Sequence, residues 1–178
     1  MESGSEFSSI LNVETLGDVA KRIHLDAGDT ERAALAKRFE LVSVELLTGD
    51  LIAERIKGGD LIRVRGRMAA EITQSCVVTG ASVAAVIEEN IDERFGPPRE
   101  TLDEVEVRLD EADPPEPIAE GGIDLGEIIS QCLGVAIDPY PRGPGAEIPQ
   151  QYQSEEVKIS EIRRNPFGVL TRLKRDGE

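Results

Sequence analysis

Between residues 41 and 95 the apolar side chains fall on every second position, and the run is too long for any helix to explain. Val42, Val44 and Leu46 alternate with Ser43 and Glu45. Ile62, Val64, Gly66, Met68, Ala70 and Ile72 then alternate with Arg63, Arg65, Arg67, Ala69, Glu71 and Thr73, and Val83, Ala85, Ile87 and Ile91 lead to Phe95. A period of two is that of extended backbone, with one face buried and the other solvated. Lys57-Gly58-Gly59-Asp60 and Thr79-Gly80-Ala81 supply the glycines of hairpin turns. The pattern predicts a meander of long antiparallel strands. Cys76 continues the even-numbered apolar face and is expected to be buried.

Helical signals flank this centre, so the fold class is α+β: an antiparallel sheet, open or curled toward a barrel, with two or three packed helices. Asp29 and Thr30 are N-cap candidates for a helix through about Arg38, with Leu35 and Phe39 four apart. Lys37 and Arg38 near its end suit the helix dipole. Asp124 can cap a second helix with Glu127 three residues on. Leu125, Ile128, Ile129, Cys132, Leu133 and Ala136 give it a wide apolar face, which makes Cys132 a core residue, and Asp138-Pro139 stops it. Ahead of these elements, Ile10, Val13 and Leu16 form a short apolar series. Ile23 and Leu25 then oppose His24 and Asp26, and His24 reads as solvated.

The 178 residues suit one α+β domain at 1–142 with a tail. Residues 110–122 form an acidic Pro/Gly-rich linker without regular structure, and 143–164 a flexible arm. A short amphipathic helix at 165–176 closes the chain. Asn165 is its cap and Pro166 its first residue; Phe167, Leu170 and Leu173 lie on one side, and Arg172, Lys174 and Arg175 near its end. About ten residues of helix are marginal alone in water, so this one must dock on something. Gly4-Ser5-Glu6-Phe7 is either native or the remnant of a cloning junction.

Composition narrows the function. Four Phe, two Tyr and no Trp leave the core to Val, Ile, Leu and Ala, and offer little for base stacking. A net charge of -15 repels nucleic acid and anionic lipid at long range. With no apolar run of membrane length and an acidic, polar start, the chain reads as cytoplasmic, with no membrane partner. The single histidine has no evident triad, and no Gly-rich phosphate loop with a following lysine occurs. Cys76 and Cys132 lie far apart without the spacing of a metal site. The expectation is a protein without catalytic residues, metal, cofactor or small-molecule substrate.

What remains is binding. Alternation puts Arg63, Arg65 and Arg67 on one face of one strand, where they could grip phosphates or simply pair with acidic neighbours such as Glu45 or Glu54. Tyr140 and Arg142 sit in the rigid exit of the second helix, Asp138-Pro139-Tyr140-Pro141-Arg142-Gly143. Phe167, Leu170, Arg172 and Lys174 sit on the terminal helix; all are candidate RNA or partner contacts. From 99 to 161 the chain holds 16 acidic and 4 basic residues, and from 162 onward 5 basic and 2 acidic. The acidic stretch either solvates a disordered segment or meets a basic partner. Two readings stand from the residues: a direct RNA binder using the arginine face, and an acidic protein-binding module.

Taken as a series, several motifs resemble the bacterial YceD-type family, the 23S rRNA accumulation proteins. They are Gln74-Ser75-Cys76-Val77-Val78-Thr79, Ile123-Asp124-Leu125-Gly126-Glu127, Asp138-Pro139-Tyr140-Pro141-Arg142 and Asn165-Pro166-Phe167-Gly168-Val169-Leu170-Thr171-Arg172-Leu173-Lys174. Glu31-Arg32-Ala33-Ala34-Leu35-Ala36-Lys37-Arg38-Phe39 looks like the alphaproteobacterial form. The resemblance implies a non-enzymatic role in accumulating or processing 23S rRNA for the large subunit. It also implies a large-subunit ribosomal protein, the 23S rRNA precursor, or both, as partners. Relatives often carry a second cysteine three residues after the one matching Cys76, where this chain has Thr79.

Overall fold

In chain order the elements are β1 (Ile10–Leu11), a 3-10 turn (Val13–Thr15), β2 (Lys21–Asp26), α1 (Asp29–Arg38), β3 (Ser43–Ile56), β4 (Leu61–Ser75) and β5 (Ser82–Gly96). They are followed by β6 (Glu116–Pro117), β7 (Ile123–Asp124) and α2 (Leu125–Ala136). The computed structural model describes residues 5–56, 58, 61–97, 114–119 and 122–147. All of these but Glu147 belong to one unit, Met1–Ala146. Most of the expected arm, and the whole of the expected terminal helix, lie outside the described residues.

The period-two run forms the three longest strands. The β3–β4 ladder runs from Ser43↔Thr73 to Ile56↔Leu61, and the β4–β5 ladder from Ile62↔Phe95 to Ser75↔Ser82. β2 adds antiparallel to the free side of β3, giving the sheet order β2-β3-β4-β5-β6. The end strands β2 and β6 do not pair, so the sheet is open rather than closed into a barrel. Ile62, Val64, Met68, Ala70 and Ile72 of β4 are buried, as their even spacing requires.

β3 departs from simple alternation. A register shift between Val44 and Leu46 exchanges the faces, so Leu47, Leu51 and Ala53 turn inward after Val44, and Leu46 is only half-buried. An extra residue on one strand has this effect because side-chain direction reverses at every step.

Both helices lie against the inner face. Leu35 and Ala36 anchor α1, while Leu125, Ile129 and Leu133 anchor α2. The α1 cap is Gly28 rather than Asp29 or Thr30. The Gly28 amide donates to Glu31 Oε2 at 2.7 Å, and Asp29, free of capping, pairs with Arg32. Asp124 caps α2 as expected, accepting from the Gly126 and Glu127 amides at 3.0 and 3.2 Å. Cys132, however, is half-buried rather than core: Ile129 and Leu133 take the centre and Cys132 packs against its flank.

The N-terminal segment belongs to the fold. Phe7 is buried in the core, and β1 pairs with β7. Ser8 Oγ and the Ser9 amide donate to Asp124 at 2.7 and 2.9 Å. Leu11, not Ile10, faces inward. In the expected linker, β6 pairs in parallel with Phe95–Gly96, and Ala119 bridges Gly122. The Ile118 amide donates to Gly96 O at 3.0 Å while its side chain packs on the core, so one apolar residue holds that stretch down.

Arg38 joins the two helices. Its guanidinium meets Glu127 in a fork, Nη1 to Oε2 at 3.0 Å and Nη2 to Oε1 at 2.9 Å, and also reaches Glu6 at 3.0 Å. The Arg38 hydrogen bonds draw the Glu127 carboxyl down from 4.5 to about 2, and Ser5 and Gln131 assist. A depressed carboxyl pKa stabilises the fold above the unfolded value, and the gain is lost as pH falls from 4.5 toward 2. Glu127→Gln is therefore expected to cost about 2 kcal/mol at pH 7. In urea titrations its stability should converge on that of the native chain only as the pH is lowered toward 2.

Candidate functional site

The outer face of the sheet is the first candidate surface. Register puts Arg63, Arg65 and Arg67 in a row on this face, beside Arg22 and His24 of β2 and Arg94 of β5. Each member of the row meets a carboxylate from a flanking strand. Arg63 makes a fork with Asp92 at 2.7 and 2.6 Å, Arg65 reaches Glu54 at 3.2 Å, and Arg67 stands 3.8 Å from Glu88. The Arg63 bonds hold the Asp92 carboxyl below its usual range. Glu45 turns instead to Ser43 and Thr73. His24, across the sheet, takes Asp50 at 2.7 Å. A phosphate approaching this face would have to displace carboxylates already in place.

The second candidate lies at the end of the sheet where the β4–β5 turn meets the exit of α2. Gln74 Nε2 donates to Asp138 O at 2.8 Å, the Val77 amide donates to Pro141 O at 2.9 Å, and the Gly143 amide approaches Cys76 Sγ at 3.4 Å. The Tyr140 amide closes a turn onto Asp138 Oδ1 at 2.9 Å. Pro141, fixed in φ and lacking a donor, is buried, while Tyr140 and Arg142 on either side stay exposed. Exposed Val77 completes a small rigid surface carrying an aromatic ring and a guanidinium.

Cys76 sits beneath this clasp. The Thr79 hydroxyl, then the Gly143, Thr79 and Val78 amides, turn toward its sulfur and draw the thiol from 9.0 down to about 6. Four donors aimed at one sulfur favour the thiolate. In contrast, burial pushes the Cys132 thiol up, and Glu89 and Glu93 add to the shift. Thiolate absorbance in the ultraviolet should therefore titrate with one midpoint near pH 6. Cys76→Ser should remove that transition, and urea unfolding should show native stability rising from pH 6 to pH 9, since the folded state ionises first.

Nothing in the spacing announced the clasp, because Gln74 and Asp138 are 64 residues apart. Phe167, Leu170, Arg172 and Lys174 lie outside the described residues. Among the described residues, no cluster of three or more His, Cys, Asp or Glu is placed to hold a metal, and no helix is long and apolar enough to cross a membrane.

The sequence profile of the family described as large ribosomal RNA subunit accumulation protein YceD matches residues 64–174. The chain belongs to this family. Its role thus lies in the accumulation of large-subunit ribosomal RNA. No curated protein and no solved structure matches the chain. Two of the motifs that carry the YceD resemblance, Gln74–Thr79 and Asp138–Arg142, are the two sides of the clasp. A third, Ile123–Glu127, receives the N-terminal segment and Arg38. In this YceD chain the Thr79 hydroxyl faces the Cys76 sulfur.

Proposed function

We propose that this chain promotes 23S rRNA accumulation as a non-enzymatic assembly factor in the cytoplasm, binding a large-subunit ribosomal protein near nascent rRNA. The observation that favours protein over RNA contact is the state of the arginine row. Its guanidiniums already face Asp92, Glu54 and Glu88, within a chain of net charge -15. Long-range attraction then acts on basic proteins, not on RNA. Tyr140 and Arg142 supply a rigid contact, since an aromatic ring and a guanidinium are the side chains that most often dominate interfaces.

Depletion of the protein is expected to lower large-subunit rRNA relative to small-subunit rRNA. Tyr140→Ala combined with Arg142→Glu should fail to restore the ratio while leaving thermal melting unchanged. An unaltered ratio on depletion defeats the proposal. Direct RNA binding through the Arg63, Arg65 and Arg67 face predicts instead a log-log salt slope of about -0.7 per single-strand phosphate contacted. In that case Arg63→Glu with Arg65→Glu would abolish binding by the purified protein.

A further inference from the structure

A groove of about 410 Å³ runs between α2 and the edge of β5. Its apolar lining includes Ile91, Ile128 and Val135, and Val135 is 90% exposed although it sits within a helix. Its walls carry Glu89, Glu93 and Glu116. The parity of the two β5 carboxylates is unusual. Glu89 pairs across from Met68 and Glu93 from Val64, both wholly buried, so they stand on the side of the sheet that faces the helices. On the outer face the carboxylates are matched by the arginine row, whereas among the described residues no lysine or arginine lines the groove. Negative charge and exposed apolar surface are thus concentrated together.

The backbone of β5 points the same way. β6 pairs only with Phe95 and Gly96, and among the described residues no strand pairs with the outer edge of β5 from Ser82 to Arg94. An unpaired edge beside a lined groove accepts an extended segment through main-chain hydrogen bonds, and alternate side chains of that segment fill the groove. RNA and anionic lipid are repelled by the carboxylate walls, and an uncharged small ligand would leave Glu89 and Glu116 unanswered. A second copy of this acidic chain would bring more negative charge.

We propose that this groove receives a Lys- or Arg-rich extended segment of a large-subunit ribosomal protein, its apolar side chains on Ile128 and Val135 and its cations on Glu89 and Glu116. The proposal rests on the function proposed above and names the surface through which that partner is held.

The test uses the full-length chain carrying a photo-crosslinking side chain at Gln131, which lines the groove, mixed with the protein fraction extracted from purified large subunits. The expected product joins Gln131 to a Lys- or Arg-rich segment of a large-subunit protein. Its yield should fall at least tenfold in Glu89→Lys with Glu116→Lys, and likewise in Val135→Asp, with unchanged melting curves. Val135→Asp guards against misfolding of the charge-reversed chain, since its site is already in water. Crosslinks to a second copy, to residues 165–175 of the same chain or to RNA overturn the proposal. So does the absence of crosslinks, or a yield that neither variant reduces. Complementation separates this failure from that of the broader reading. If depletion lowers the rRNA ratio and the charge-reversed chain restores it fully, the groove is wrong and the assembly role stands. An unaltered ratio on depletion removes the assembly role itself.

Discussion

Gly66→Ala is expected to destabilise the protein by about 3 kcal/mol, at the upper end of what overpacking costs. A Cβ at Gly66 would lie 2.0 Å from the Asp50 carbonyl oxygen and 2.9 Å from Leu51 Cα, and both are backbone atoms of the paired strand. Neither can step aside as the end of a flexible side chain can, so the β3–β4 ladder itself must open. Gly49→Ala offers a graded comparison, because its Cβ would meet Ile129 Cδ1 at 2.3 Å, a side-chain terminus that can rotate at smaller cost. Gly17→Ala, with nothing within 4 Å, should be close to neutral. Urea unfolding of the three variants should rank them in that order. A near-neutral Gly66→Ala would mean that the two strands do not approach so closely.

Phe7→Ala should cost still more, about 3–5 kcal/mol, the usual range for truncating a buried aromatic. Against total stabilities of about 5–15 kcal/mol, that is a large share. Phe7 is 4% exposed. Its carbonyl oxygen lies where a Cβ on Gly126 would be 2.5 Å away, so the segment runs tight against the start of α2. The neighbouring Ser5 hydroxyl donates to Glu127 Oε2 at 2.6 Å and Glu6 pairs with Arg38. Phe7→Leu keeps most of the volume and should lose less than about 1.5 kcal/mol. The readout is the urea midpoint at constant m-value. An unshifted midpoint for Phe7→Ala would show that residues 5–7 are dispensable, as a cloning remnant would be.

The even-numbered face of β4 could be read from the sequence, because strand geometry alone converts alternation into two faces. The Thr79-Gly80-Ala81 turn, the Asp124 cap and the stop after Ala136 followed from equally local rules of backbone conformation. The inward turn of Leu47, Leu51 and Ala53 could not be read, since it depends on a single bulge near Glu45 that reverses every later side chain. Nor could the N-terminal anchoring of Phe7, where one aromatic residue in a polar stretch gives no periodic signal.

The arginine row was visible as a row, and Glu54 was named among its potential partners. That Asp92 and Glu88 complete the pairing depends on the register of β5. Tyr140 and Arg142 stood out by composition, yet their seating over Cys76 joins segments that the chain separates by an entire strand and helix. Sequence by itself determined the extended run of the three long strands, the two helices and which face of β4 is apolar, because these are properties of neighbours a few positions apart. Tertiary structure alone decided the clasp, the Arg38–Glu127 fork and the acidic groove. Each forms only where hydrophobic packing of α1 and α2 on one sheet brings distant polar groups within hydrogen-bonding reach.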